Sequence, residues 1–180
     1  MGRSRFFADI HSDADVARYI GHGQPRSLTE TTGWLKDILA TYDSSSLGQL
    51  AVIRKFDGAL IGRCGLSDAA LEQTCTPGQI RKGWFFSTHA PSGTALALVP
   101  ELGYTFAKNF LGLGYATEAA GCVFAYAKAQ HNFPKIMSVI HKENIRSRQV
   151  ALKFGVQLID QVELSGRVFD RYHWPMNDLT

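Results

Sequence analysis

Glu101-Leu102-Gly103-Tyr104-Thr105-Phe106-Ala107-Lys108-Asn109-Phe110-Leu111-Gly112-Leu113-Gly114-Tyr115-Ala116-Thr117-Glu118-Ala119 is the stretch whose reading decides the fold. Ala95 to Ala107 reads as one long strand, and Pro100 inside it marks a bulge or an edge position. Asn109 to Gly114 is a glycine turn. Tyr115 to Gln130 is the clearest helix in the chain, with Ala116, Ala119, Ala120, Val123, Phe124 and Ala127 on one face at i, i+3, i+4, i+7 spacing. A strand thus runs through a tight turn straight into a helix. The first turn of a helix offers unpaired N–H groups and the positive end of its dipole, and together these hold phosphate.

Outward from this centre the period changes several times. Asp9 to Ile20 has mostly helical spacing with Ser12 as a cap. Ser27-Leu28-Thr29-Glu30 has the form of a capping box ahead of Trp34, Leu35, Ile38 and Leu39. Gln49 to Phe56 reads as a strand, Asp57-Gly58 as a hairpin turn, and Ala59 to Leu66 as the returning strand. Residues 67–94 show no clear period and read as a long loop or insertion, with a short strand at Gly83-Trp84-Phe85-Phe86. Beyond the central helix come a strand at Lys135 to His141, a helix from Asn144 to about Phe154 with Gly155 at its stop, and a pair of strands around Ser165-Gly166. Antiparallel hairpins first and a strand–helix–strand unit second predict an α+β domain: a mixed, mostly antiparallel central sheet flanked by helices.

The 180 residues, 45% hydrophobic and 19% charged, suit a single domain with a full core. No run reaches the ~18 apolar residues of a membrane helix, and no signal peptide opens the chain, so no membrane partner is expected. A net charge of +3 is too weak to argue for nucleic acid, though it suits a small polyanionic ligand. Cys64, Cys75 and Cys122 are odd in number and far apart, which predicts a reduced, cytoplasmic protein and no metal site.

Taken from the residues alone, the turn is either an anion site or a pair of packing glycines. A dinucleotide fingerprint would need glycine where Thr117 stands, and a P-loop would need Gly-Lys-Ser/Thr, which occurs nowhere. The wider pattern resembles the GNAT acetyltransferases, in the branch that includes the ribosomal-protein N-terminal acetylases. Gly112 to Ala119 is similar to that branch's Gly-x-Gly-Tyr-Ala-Thr-Glu-Ala. Asn144 and Ser147 resemble its Asn-x-x-Ser pair, Lys153-Phe154-Gly155-Val156 its helix ending, Asp57 to Arg63 its second hairpin, and Gly166 to Asp170 its last turn. The resemblance spans roughly residues 9 to 175.

That resemblance implies direct transfer of acetyl from acetyl-CoA to a primary amine, either a protein N-terminus or a small molecule. It implies a cofactor site made of Phe106, Leu111, Gly112, Leu113, Gly114, Tyr115, Ala116, Thr117 and Asn144. Glu101 is the expected base, acting through water, and Ser147 the expected proton source for the leaving thiolate. Glu163, Asp170 and His141 are the alternative bases, each with an ordinary structural reading beside it. Trp84, Phe85 and Phe86 are read as pocket lining or core, and Arg146, Arg148 and Lys153 as phosphate-facing or solvated. Phe154 stands in the neighbourhood where many relatives carry an acidic tyrosine.

Three departures stand out. Leu111 and Leu113 replace the polar or basic residues common in the cofactor loop, and the family's first strand is left short or absent before Asp9. An unfilled sheet edge leaves a homodimer open. These departures also favour the alternative of a catalytically weak acyl-CoA-binding module.

Overall fold

The computed structural model describes residues 3–44, 47–130 and 133–176. Helices α1 (Arg3–Ser12), α2 (Ala14–Ala17) and α3 (Leu28–Ser44) come first, followed by strands β1 (Gln49–Ile53), β2 (Leu60–Glu72), β3 (Arg81–Trp84) and β4 (Leu96–Phe106). Helix α4 (Tyr115–Gln130), strand β5 (Ile136–Ile140), helix α5 (Ile145–Leu152) and strands β6 (Gln157–Leu164) and β7 (Arg167–Trp174) complete the chain. The seven strands form one mixed sheet in which only the β3–β6 and β4–β5 pairings are parallel.

Local chemistry sets several of these boundaries. The Glu30 carboxylate accepts hydrogen bonds from both the N–H and the hydroxyl of Ser27, and the Ser27 hydroxyl accepts from the Glu30 N–H, closing the capping box ahead of α3. Between β1 and β2, Asp57 accepts the Ala59 N–H at 3.2 Å and Gly58 sits at φ 70°. Asn144 caps α5 by accepting the Ser147 N–H at 3.2 Å.

Residues 3–12 are helical, so the first strand, expected to be short or absent, is absent among the described residues. Two expectations need correction. The predicted helix over 9–20 is two pieces: Asp13, not Ser12, caps α2, while the Ser12 hydroxyl turns back to the Asp9 carbonyl. The aperiodic loop is also shorter than 67–94. Ser67 to Glu72 continues β2 in unbroken register with Leu96 to Glu101 of β4, and the short strand is Arg81–Trp84. Ser67, Asp68 and the Ala69-Ala70 pair have little strand propensity of their own, so the long β4 partner decides their conformation.

Strand β3 has a topological consequence. It pairs with β2 through Ala70 and Leu71 on one side and with β6 through Val162 to Leu164 on the other. The pairings β2–β3–β6–β7–β5–β4–β2 therefore run in a closed circuit, with β1 appended to the β2 edge. Gly83 makes this closure fit, because a Cβ there would lie 2.7 Å from Leu71 Cδ2 and 3.1 Å from the Ala70 carbonyl.

Alternation along the strands separates two cores. Cys64, Leu66 and Leu102 face α4 and α5, packing with Ala120, Ala127, Ala151 and Trp174. Ala69, Leu71, Met137, Val162, Leu164 and Phe169 form the second core on the opposite face.

Candidate active site

Strands β4 and β5 touch at one register only, Glu101 opposite Met137. Past that point they separate, and the Ser138 hydroxyl donates to the Leu102 carbonyl at 2.6 Å across the beginning of the gap. A cavity of about 720 Å³ opens there. Glu101, Gly103 and Thr105 line it from one face of the sheet, and Tyr104, Asn144 and Ser147 from the other. Residues of opposite strand parity share a cavity only where the sheet is split.

Glu101 is 9% exposed. Burial pushes its carboxyl up to about 7, against the opposing pull of the Arg63 guanidinium and of hydrogen bonds from the Val139 N–H and the Ser67 hydroxyl. On the other side of the gap, the Tyr104 hydroxyl donates to the Ser147 carbonyl at 3.0 Å and accepts from the Ser147 hydroxyl at 3.2 Å. Burial pushes the phenol up to about 12, so it keeps its proton at neutral pH.

The structure thus brings Glu101, Ser147 and Asn144 to one cavity, together with His141, Glu163, Trp84, Phe85 and Phe86. Burial lowers His141, whose ring packs against Tyr19 and Phe169. Asp170 lies outside the cavity and accepts a hydrogen bond from Gln161 at 2.9 Å. Arg146, Arg148 and Lys153 do not line it either. Phe154 packs on Trp174 with ring centroids 5.1 Å apart, so the aromatic hydroxyl of this site comes from β4 instead.

Phe106 and residues 111–117 lie beyond the cavity, along the same gap and at the start of α4. Phe106 is buried at the strand end, and Leu111 and Leu113 are exposed. Gly112 and Gly114 hold φ of 78° and 88°, where glycine is favoured, and an added Cβ at either would meet nothing within 4 Å. Glu118 makes the first helical hydrogen bond, to the Gly114 carbonyl at 3.1 Å. The N–H groups of Tyr115, Ala116 and Thr117 precede that bond, so the helix itself supplies them no partner. Open glycine backbone, helix-start donors and a split strand edge fit a long ligand that ends in phosphates and carries amides along its arm.

Sequence reasoning missed four residues. Tyr104 carries no motif, and its role depends on a neighbour 43 positions away. Arg63, Gln49 and Ser67 meet only through the β1–β2 register. Beside the loop, Arg54 lies 5.1 Å from the Phe110 ring centre, hydrogen-bonds the Tyr115 hydroxyl and is held by the Asp57 carboxylate.

A family model described as an acetyltransferase (GNAT) domain matches residues 3–157. Among curated proteins, the uncharacterized N-acetyltransferase YnaD of Bacillus subtilis (strain 168) is 35% identical over 57 residues, which is 32% of this chain and 34% of YnaD. The match therefore spans about a third of that relative. Similar solved structures include a putative GnaT-family acetyltransferase from Bordetella pertussis (TM-score 0.66, 16% identity, 96% of this chain and 88% of that one). The ribosomal-protein-S5-alanine acetyltransferase of Vibrio fischeri aligns with TM-score 0.61 at 13% identity, over 100% of this chain and 93% of that one. The spermidine N-acetyltransferase of Vibrio cholerae, solved with CoA and spermine, aligns with TM-score 0.61 at 15% identity, over 96% and 89%. At these identities the likeness is one of fold.

Proposed function

This chain belongs to the GNAT acetyltransferase family, and from that premise we propose that it moves the acetyl group of acetyl-CoA directly to a primary amine. The observation that carries the reading is the cavity through the β4–β5 gap. It joins a carboxyl poised near neutrality on one face to a pair of hydroxyls on the other.

Bound acetyl-CoA supplies an acyl carbon with a thiolate leaving group. In this reading the backbone of Leu111 to Thr117 holds its phosphates, with Phe106 and Asn144 along its arm. An amine attacks only when neutral, yet a lysine-like amine is protonated near pH 7 (pKa ~10). Glu101, acting through water, takes that proton, since a base matched to the working pH transfers protons best. Ser147 and Tyr104 hold the proton for the departing sulfur at Oγ and Oη. Family membership leaves the acceptor open between a protein N-terminus and a small amine.

Two measurements test this reading. Calorimetric titration with acetyl-CoA, with NAD as control, should give micromolar or tighter binding for acetyl-CoA alone. Thiol release with a broad amine panel should then show turnover. Tight binding with no turnover on any amine would instead mark an acyl-CoA-binding module.

A further inference from the structure

The wall of the cavity facing α3 carries a buried arginine, Arg63, that feels the Glu101 charge but forms no ion pair with it. Arg63 shares a strand face with Ser67, Glu101, Gly103 and Thr105. Its Nη1 donates to the Gln49 Oε1 at 2.7 Å, and its guanidinium lies 5.0 Å from the Trp34 ring centre. Its Nε is buried and has no hydrogen-bond partner. Nε and Nη2 form the side-on edge through which arginine grips a carboxylate with two parallel hydrogen bonds. Among the described residues, Arg63 is in no ion pair.

Among the described residues none of the cavity's own carboxylates forms an ion pair with Arg63, although Glu101 lies within its field. Glu30 is held by Ser27, and Asp37 lies 3.8 Å from His89. Glu163 stands opposite Lys82 in the β3–β6 register, and Glu101 is held by Ser67 and Val139. A second arginine, Arg26, lines the same wall. Gly65 and Gly103 lie between Arg63 and Glu101 on that face; β1 backbone crosses Gly65, the Glu101 carboxylate and the Gln49 amide lie over Gly103, and Gln49 links Arg63 to Ser67.

The same cavity is bounded by contacts between distant parts of the chain. Arg167 at the start of β7 donates to the Arg18 carbonyl at 2.9 Å and the Gly21 carbonyl at 3.4 Å, tying the β6–β7 turn to the connection after α2. Tyr19 and His141 close their rings to 5.8 Å beside that tie. Strand β3 and the aromatic side chains of Trp84, Phe85 and Phe86 wall the far side. A volume of about 720 Å³ suits a small molecule.

Resting on the acetyltransferase reading above, we propose that the acceptor is a small amine that also carries a carboxylate, an amino-acid-like zwitterion. Its carboxylate docks on the free edge of Arg63, with Arg26 adding positive field, and its amine faces Glu101. The C–N bond forms as the C–S bond breaks. The ammonium gives up two protons through Glu101 and water: one passes to solvent and the other replaces the proton that the thiolate takes from the Ser147–Tyr104 pair, so the products are the N-acetylated acid, CoA and one proton.

The test offers the protein acetyl-CoA with each of the twenty amino acids and the matching α-carboxamide, plus spermidine and a short peptide with a free N-terminus. At least one acid should exceed its amide in kcat/KM by about 10- to 100-fold, the worth of a charged bidentate contact. In Arg63→Gln that ratio should fall to within a few-fold while acetyl-CoA affinity stays the same, and Arg63→Lys should recover part of it. An unfolding curve for each variant confirms that it is folded. Equal use of acid and amide, acetylation of spermidine or peptide alone, or acetyl-CoA binding with no acceptor used would each overturn the proposal. Failure to bind acetyl-CoA would overturn the acetyltransferase reading itself, and this proposal with it.

Discussion

Replacing Glu101 with glutamine should make the protein more stable above neutral pH and nearly inactive. The carboxyl titrates at about 7 in the folded protein, against 4.5 for the free group. Because the folded value is the higher one, the native state keeps a proton that the unfolded chain has released between those two pH values. Stability therefore falls as pH rises through this window, by about 1.4 kcal/mol per unit. Above pH 7 the buried charge costs about 3 kcal/mol in total, a large share of a typical margin of ~5–15 kcal/mol. Glutamine has nearly the same volume, can still accept the Val139 N–H, and carries no charge at any pH. Urea unfolding of both proteins at pH 5, 6, 7 and 8.5 isolates the effect, because all other titrating groups cancel in the difference. The advantage of Glu101→Gln should grow from under ~1 kcal/mol at pH 5 to ~3 kcal/mol at pH 8.5, with an unchanged denaturant slope. Turnover should drop about 10²-fold or more, with acetyl-CoA affinity within a few-fold. The wild-type kcat/KM should rise with pH along a limb centred near 7. A stability difference that ignores pH, or a rate limb near 4.5, would refute the argument from burial. Undiminished turnover would clear Glu101 of the base role.

Tyr104→Phe removes the hydroxyl that bridges Ser147 and should lower kcat about 10- to 100-fold with little change in acceptor KM. Combined with Ser147→Ala it should cost no more than the worse single change, and strictly additive losses would show that the two hydroxyls act separately. Gly114→Trp should abolish acetyl-CoA binding, since the open space at that glycine would be filled and a φ of 88° strains any side chain. Unchanged affinity in a folded variant, read by calorimetry, would remove the loop from the site. Ser138→Ala should lower the unfolding free energy by about 2 kcal/mol, because the buried serine donates to Leu102 and accepts the Trp174 indole N–H at 2.9 Å. A urea midpoint equal to wild type would show that water replaces the hydroxyl.

Much of the fold was legible because its signals are local. The glycines before Tyr115, the capping box at Ser27, the Asp57-Gly58 hairpin and the Asn144 cap each act within a few residues, and each forms as its chemistry dictates. Residues 67–72 were illegible for the converse reason. Small and polar, they become strand only because β4 runs alongside. The break between α1 and α2 was missed because Ser12 and Asp13 are both acceptable caps, and only the packed chain shows which one is used.

The site divides along the same line. Sequence by itself determined the architecture, the helix-start turn, the place of Glu101 on the long strand and that of Asn144 and Ser147 at a helix start, because strand periodicity and helix starts are encoded within a few residues. Tertiary structure decided what those residues meet. The β4–β5 split puts Glu101 and Ser147 in one cavity although they face opposite sides of the sheet. It also supplies Tyr104 where Phe154 offers no hydroxyl, and it leaves the Arg63 Nε without a partner. Register and strand separation fix such distances across tens of residues, and no local pattern of side chains encodes them.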